Sequence, residues 1–190
     1  MTICIDKELH FEVPENWQWV RLGSIVKIER GGSPRPIKSF ITTDIDGVNW
    51  IKIGDVDKDG KYILKTNEKI KPNGLKKSKE VYPGDFLLTN SMSFGRPYIS
   101  QIYGCIHDGW LVLRNPEIAF DIDFLYYLLS STYLYNQFTI QASGSTVDNL
   151  NIDKVSSALL CLPPIAEQKR IVKEIKYFMN IIESIDNCLQ

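Results

Sequence analysis

The sequence lacks the features that mark membrane, secreted and most catalytic chains. Its longest apolar stretches, such as Leu159-Leu160-Cys161-Leu162, fall far short of the ~20 residues needed to cross a bilayer. The start, Met1-Thr2-Ile3-Cys4-Ile5-Asp6, has no cationic region with an apolar run behind it, so no secretory signal is read there and a cytoplasmic location is expected. The four cysteines, Cys4, Cys105, Cys161 and Cys188, form no CxxC, and only His10 and His107 supply imidazoles, which argues against zinc. The cysteines read as reduced thiols, with Cys161 in the core. Neither sign of charge dominates: 22 Lys+Arg against 23 Asp+Glu leave a net −1, so the molecule as a whole is no polybasic nucleic-acid binder. An anionic partner must meet a local patch. Also missing are a GxSxG nucleophile elbow, HExxH, the GxxxxGK[ST] phosphate loop and GxGxxG. The chain reads as one that binds and does not catalyse.

What is present is an ordinary globular composition. With 190 residues, 44% hydrophobic and 11% aromatic, the chain can bury one domain with an appendage, and it does not read as disordered. Four runs bounded by Gly, Pro, Asn or Asp read as strands: 48–53, 85–89, 98–103 and 109–113. A helix is expected from Asp121 to Phe138, capped by Asp121 or Asp123. From Ile165 the periodicity changes. Ile165, Ile171, Val172, Ile175, Phe178, Met179, Ile182, Ile185 and Leu189 recur at three- and four-residue steps, the signature of one long amphipathic helix. Pro163-Pro164 marks its start, because proline is tolerated in a first helical turn while the residue before it is pushed out of the α region. Heptad columns Ile165/Val172/Met179 and Ile175/Ile182/Leu189 predict a helix of coiled-coil type that packs on a partner. The expected fold is therefore α+β: a β-rich domain over residues 1–162, followed by a spacer or dimerisation helix over 163–190.

Charge is unevenly placed. Between positions 61 and 79 seven lysines face only Glu68, a local excess of six, while residues 101–190 carry six basic against ten acidic groups. That stretch, with Arg30, Arg35 and Lys38 in the irregular segment 30–43, suits contact with a phosphate backbone. Arg30, Lys69, Lys71, Lys76, Lys77 and Lys79 are the phosphate candidates. Base reading asks for Asn, Gln, Ser and Arg on loops close to that basic surface. Arg35 and Lys38 in the first loop, Asn90, Ser91, Ser93 and Arg96 in a second, and Ser145 and Thr146 in a third are the candidates. Asp55-Val56-Asp57-Lys58-Asp59-Gly60 imitates the opening of a calcium loop, but position twelve is Thr66 and the flanks are strand-like, so it reads as an Asp-rich turn and no metal is expected. A small metal-dependent hydrolase using Asp55, Asp57 and Asp59 is the competing reading from a different class.

Leu162-Pro163-Pro164-Ile165-Ala166-Glu167-Gln168-Lys169-Arg170-Ile171-Val172 resembles the LPPxxEQxxIV motif opening the conserved helix of type I restriction–modification specificity subunits. Pro14-Glu15-Asn16-Trp17, running on to Leu22-Gly23, looks like that family's start, and Gly31-Gly32-Ser33-Pro34 like its G-x-[ST]-P loop. Trp50-Ile51 with Gly54-Asp55, Tyr82-Pro83-Gly84-Asp85, and Gly144-Ser145-Thr146 with Asn149-Leu150 follow in order. The resemblance implies a target recognition domain plus conserved helix that reads one half of a bipartite double-stranded DNA site. It further implies methyltransferase partners that bind S-adenosylmethionine and modify adenine, a restriction subunit that uses ATP and Mg, and no cofactor in this chain. The conserved helix would pair with that of a second recognition unit. The departure is length: a usual specificity subunit holds two such domains, so this is either a half-subunit or one unit of a longer chain. A recognition domain of a fused single-chain restriction–methylation enzyme is the other reading within the same chemistry.

Overall fold

The computed structural model describes residues 11–91, 95–142 and 150–189. In chain order the strands are β1 (Gln18–Arg21), β2 (Lys27–Arg30), β3 (Ile41–Thr42), β4 (Val48–Ile51), β5 (Tyr62–Ile63), β6 (Lys69–Ile70), β7 (Lys79–Val81), β8 (Phe86–Thr89), β9 (Pro97–Ser100), β10 (Gly104–Ile106), β11 (Trp110–Arg114) and β12 (Leu159–Leu162). The helices are α1 (Leu22–Ile25), α2 (Ile122–Leu129), α3 (Thr132–Ala142), α4 (Ile152–Ser157) and α5 (Ile165–Leu189).

Two five-stranded sheets carry the fold, ordered β2-β11-β8-β9-β5 and β3-β6-β4-β10-β7, with β1 and β12 as a separate antiparallel pair. The first sheet is covered on both faces, which is why β8 and β11 are continuous apolar runs without polar alternation. Leu87, Tyr98, Trp110 and Val112 face Ile51, Val81 and Ile106 of the second sheet. Their neighbours Phe86, Leu88, Ile99, Leu111 and Leu113 face Phe124, Leu125, Leu129, Leu134, Phe138, Val155 and Val172 of the helices. The outer face of the second sheet, Val48, Trp50, Ile70 and Cys105, is covered by Ile37, Phe40 and Leu75.

The four expected strands are present within one to three residues at each end. The helix expected over 121–138 is instead two. Ser131 Oγ donates to the Leu128 carbonyl and accepts from the Leu134 N–H, so the hydroxyl closes α2 and opens α3. Asp121 is the cap, accepting from the Phe124 N–H at 3.1 Å. Cys161, expected in the core, is only half-buried: burial along β12 ends after Leu159 and Leu160. Tyr82-Pro83-Gly84-Asp85 is a tight turn before β8: Gly84 has φ +98°, and the Asp85 N–H returns to the Tyr82 carbonyl.

The long helix begins inside the domain. Gln168 is fully buried: its Oε1 accepts from the Asp121 N–H at 2.8 Å, and its Nε2 donates to the carbonyls of Ala119 (3.0 Å) and Pro163 (2.9 Å). Lys176 and Lys61 both pair with Asp123, tying the helix's fourth turn to α2 and to the residue preceding β5. Ile171 and Val172, expected on an intermolecular seam, therefore pack into the chain's own core, because Gln168 turns their face onto α2. The boundary expected at 162/163 falls at the junction of β12 and α5, with the first two turns of the helix belonging to the domain's core. Beyond Lys176 the apolar stripe is uncovered, with Phe178, Met179, Ile182, Ile185 and Leu189 all more than half exposed.

Candidate nucleic-acid interface

The chain leaves β2 at Arg30 and crosses the turn His107-Asp108-Gly109 that joins β10 to β11. Gly31 N–H donates to the Trp110 carbonyl (2.9 Å) and Gly32 N–H to that of Ile106 (3.0 Å). A Cβ on Gly31 would sit 2.2 Å from the His107 carbonyl oxygen, and one on Gly32 2.3 Å from that of Lys77, so both positions require glycine for close approach. Past this crossing, Ser33, Pro34, Arg35, Pro36 and Ile37 form one wall of an open groove of about 600 Å³, completed by Trp50, His107 and Asp108. The 3₁₀ turn Pro72–Lys77 lies alongside. Lys71 Nζ donates to the Ser39 carbonyl at 3.1 Å, the Lys71 N–H to that of Phe40 at 2.8 Å, and Lys77 Nζ stands 5.9 Å from the Phe40 ring. The two basic segments singled out in the sequence, some 40 positions apart, are thus one surface.

Asp108 is the hub of the groove. Its Oδ1 accepts from Ser33 Oγ at 3.0 Å, and His107 Nε2 lies 2.8 Å from the same oxygen. Its backbone carbonyl accepts from Arg30 Nε at 3.1 Å and from Asn90 Nδ2 at 2.8 Å. Burial pushes the His107 imidazole below its usual range, and Lys52 and Arg30 act in the same direction against the pull of Asp108. The ring is neutral at neutral pH. Its Nδ1 accepts from the Gly109 N–H at 2.9 Å, so the proton resides on Nε2, facing the carboxylate. The Trp50 ring lies 5.5 Å from that of His107, tilted by 60°, with Lys52 Nζ 5.6 Å from the indole.

The sequence candidates distribute unevenly. Arg35, Lys38, Lys71, Lys76 and Lys77 are exposed around the groove, and Arg30 is exposed at its end. Asn90 is fully buried: besides its side-chain bond to Asp108, its backbone accepts from Leu150 and donates to the Gly109 carbonyl. It braces the turn and does not reach the surface. Ser91 is half-buried. Arg96 lies elsewhere, 3.8 Å from Asp59 and lining a second cavity with Lys58, Tyr98, Tyr126 and Tyr135. Lys79 lies 3.7 Å from Glu29, whose carboxyl is held at about 2 chiefly by the Arg114 guanidinium. Lys69 sits on β6, opposite Asn49 and Thr42. Ser93, Ser145 and Thr146 lie outside the described residues. Trp50, His107 and Asp108 were not anticipated as site residues. The available signal was a His-Asp-Gly turn ahead of an apolar strand, in a chain with only two histidines.

The calcium-like segment is occupied by turn chemistry. Asp55 accepts from the Lys52 N–H and from both the backbone and the side chain of Asn67, and Asp57 accepts from the Asp59 N–H. Glu167 pairs with Arg170 on the exposed side of α5. No described helix is long and apolar enough to cross a membrane.

A family model described as the type I restriction modification DNA specificity domain matches residues 14–190. The chain belongs to this family. It is 28% identical over 177 residues to the putative type I restriction enzyme MjaX specificity subunit of Methanocaldococcus jannaschii, which covers 90% of this chain and 39% of that protein. The chain thus spans about two fifths of that specificity subunit's length. The HsdS subunit from Thermoanaerobacter tengcongensis superposes with a TM-score of 0.70 at 20% identity, covering 94% of this chain and 41% of that one. A chain solved in work on complex assembly and conformational transition of the type I R-M system gives 0.73 at 22% identity, covering 94% and 42%. Both likenesses are of fold: a specificity-domain β-rich body followed by its long helix.

Proposed function

We propose that the chain is one DNA-reading unit of a type I restriction–modification specificity subunit, residues 1–162 reading one half of a bipartite double-stranded site and residues 163–190 acting as spacer. The observation that carries this is the convergence of the Arg30–Lys38 loop and the Lys71–Lys77 turn on one groove. Lys71, Lys76 and Lys77 contact phosphates, whose neutralisation gives sequence-independent affinity, while Arg35 and Lys38 reach base edges from the loop between them. The unit itself is non-catalytic and works in the cytoplasm. Modification subunits holding S-adenosylmethionine methylate adenine at the site it selects, and a restriction subunit supplies the ATP- and Mg-dependent steps. The exposed stripe of α5 from Phe178 to Leu189 pairs with the helix of a second recognition unit, so that helix length fixes the distance between half-sites.

The test is adenine-methylation sequencing of DNA from cells expressing this chain with its modification subunit. A new bipartite methylated motif is expected; a palindromic one means two copies of this unit, an asymmetric one a second, different half. No new methylation with both proteins soluble and assembled refutes the reading.

A further inference from the structure

The groove described above is basic at its rim but holds a carboxylate on its floor, and this departure from a plain phosphate-binding surface has a chemical reading. A negative charge facing a phosphate backbone weakens contact, so Asp108 does not serve the electrostatic part of binding. It is also no loosely solvated side chain. Four side chains from three separate segments hold it: Ser33 and His107 at Oδ1, Arg30 and Asn90 at the backbone carbonyl. The buried amide of Asn90 and the proton-bearing Nε2 of His107 thereby fix the turn and the rotation of the carboxylate. About a third of the side chain, 36%, remains accessible. Among the described residues, both groups that meet the carboxylate do so at Oδ1, so Oδ2 is the oxygen presented to an incoming partner.

A carboxylate accepts hydrogen bonds and donates none. Among the groups that a base pair shows in the major groove, only the exocyclic amines of cytosine (N4) and adenine (N6) donate; the others accept or are apolar. We propose that Asp108 is a specificity-determining residue that accepts a hydrogen bond through Oδ2 from the exocyclic amine of one base in the target, cytosine or adenine, while Arg35 and Lys38 flank it. This rests on the reading of the chain as a DNA-recognition unit and adds to it which base chemistry the groove selects. Ser33, His107 and Asn90 are positioning residues for that contact.

The test uses the chain assembled with its modification subunits, in wild-type, Asp108→Asn and Arg35→Ala/Lys38→Ala forms, each selecting from a randomised duplex library. Asp108→Asn keeps an oxygen for Ser33 and His107 and leaves the backbone carbonyl untouched, so the loop is retained while Oδ2 becomes an amide donor. The wild type is expected to require cytosine or adenine at one position; Asp108→Asn is expected to relax that requirement about tenfold and admit thymine or guanine, whose O4 or O6 accepts, with other positions unchanged. A second measurement removes the amine from the DNA, using 2-pyrimidinone in place of cytosine and purine in place of adenine at each motif position. One such deletion should weaken the wild type about tenfold more than Asp108→Asn, and which analogue does so identifies the base. The same motif with the same discrimination in Asp108→Asn, or equal losses for both proteins at every amine deletion, overturns the assignment of Asp108. If Arg35→Ala/Lys38→Ala loses binding in that case, the underlying reading stands without it. If even the wild type enriches no sequence, the underlying reading fails and the assignment falls with it.

Discussion

Replacing Gln168 by Ala tests how the long helix is joined to the domain. Gln168 is fully buried and satisfies three backbone groups at once: the Asp121 N–H that opens α2, and the carbonyls of Ala119 and Pro163. Alanine orphans all three. Each buried group left without a partner costs about 1–3 kcal/mol, and water reaching the Asp121 end holds the total to about 3 kcal/mol. At about 2–4 °C per kcal/mol for a chain of this size, thermal unfolding should fall by about 6–12 °C. The assay is calorimetric or circular-dichroism unfolding of the whole chain, with the exposed Lys169→Ala as control, expected within about 0.5 kcal/mol of wild type. Gln168→Glu separates hydrogen bonding from packing. It keeps an acceptor for Asp121 but turns an oxygen on the two carbonyls, so it should cost at least as much as alanine. A Gln168→Ala chain that unfolds within 1 °C of wild type, or a Gln168→Glu chain that is more stable than Gln168→Ala, would show that the amide does not lock α5 to α2.

Three further outcomes are expected. Glu29 is held at about 2 against an ordinary 4.5, first by Arg114 and then by Lys27 and Lys79; at about 1.4 kcal/mol per decade this is about 3 kcal/mol, reduced to about 1–2 by solvent screening. Because the folded value is the lower one, that stability is full above about pH 5 and is lost as pH falls toward 2; Glu29→Gln should show a flatter acid limb in urea titrations between pH 5 and pH 2, and an unchanged limb would contradict the network. Lys71→Ala/Lys76→Ala/Lys77→Ala should weaken binding to all DNA sequences alike and reduce the slope of log K against log salt by about 2 to 3, whereas a changed sequence preference at an unchanged slope would refute the phosphate assignment. Ile182→Asp/Ile185→Asp should leave domain unfolding unchanged, since both side chains are more than half exposed, but convert a helix-paired dimer to monomer in sedimentation; an unaltered association state would place the interface elsewhere.

The parts of the fold that were legible in sequence are those where one local signal decides. Phe86-Leu87-Leu88 and Trp110-Leu111-Val112-Leu113 are apolar on both faces and read as strands because the central sheet is covered twice. The long helix was legible from its period alone. Less legible was its division of labour: Val172 and Met179 share a heptad column, yet Val172 is 7% exposed and Met179 56%, because the contact that separates them comes from Gln168 reaching residues 119–121. The break between α2 and α3 was missed since Ser130-Ser131 fits a helical surface until the hydroxyl of Ser131 competes for the backbone. Short strands such as β3, β5 and β6, two residues each, exist by virtue of their neighbours and leave no pattern of their own. In the groove, the fold brings the exposed Arg35 and the lysines of the 71–77 turn onto one surface, whereas Asn90, expected at that surface, braces the interior. Polar character in a loop does not say which way a side chain faces. Asp108 was invisible for the complementary reason: its partners Ser33 and Arg30 lie 75 and 78 positions away, and only the folded sheet brings them together.

If the chain reads DNA as proposed, the face bearing the Arg30–Lys38 loop lies on it. Site-specific photocrosslinking tests it most directly, with a photoreactive residue in place of Arg35 at the groove, or of Ile118, an exposed position beyond the far end of β11, in the assembled complex on its methylated target. Crosslinks to DNA are expected from position 35, confined to one half-site, and none from position 118. Crosslinks from 118 without any from 35 would contradict it.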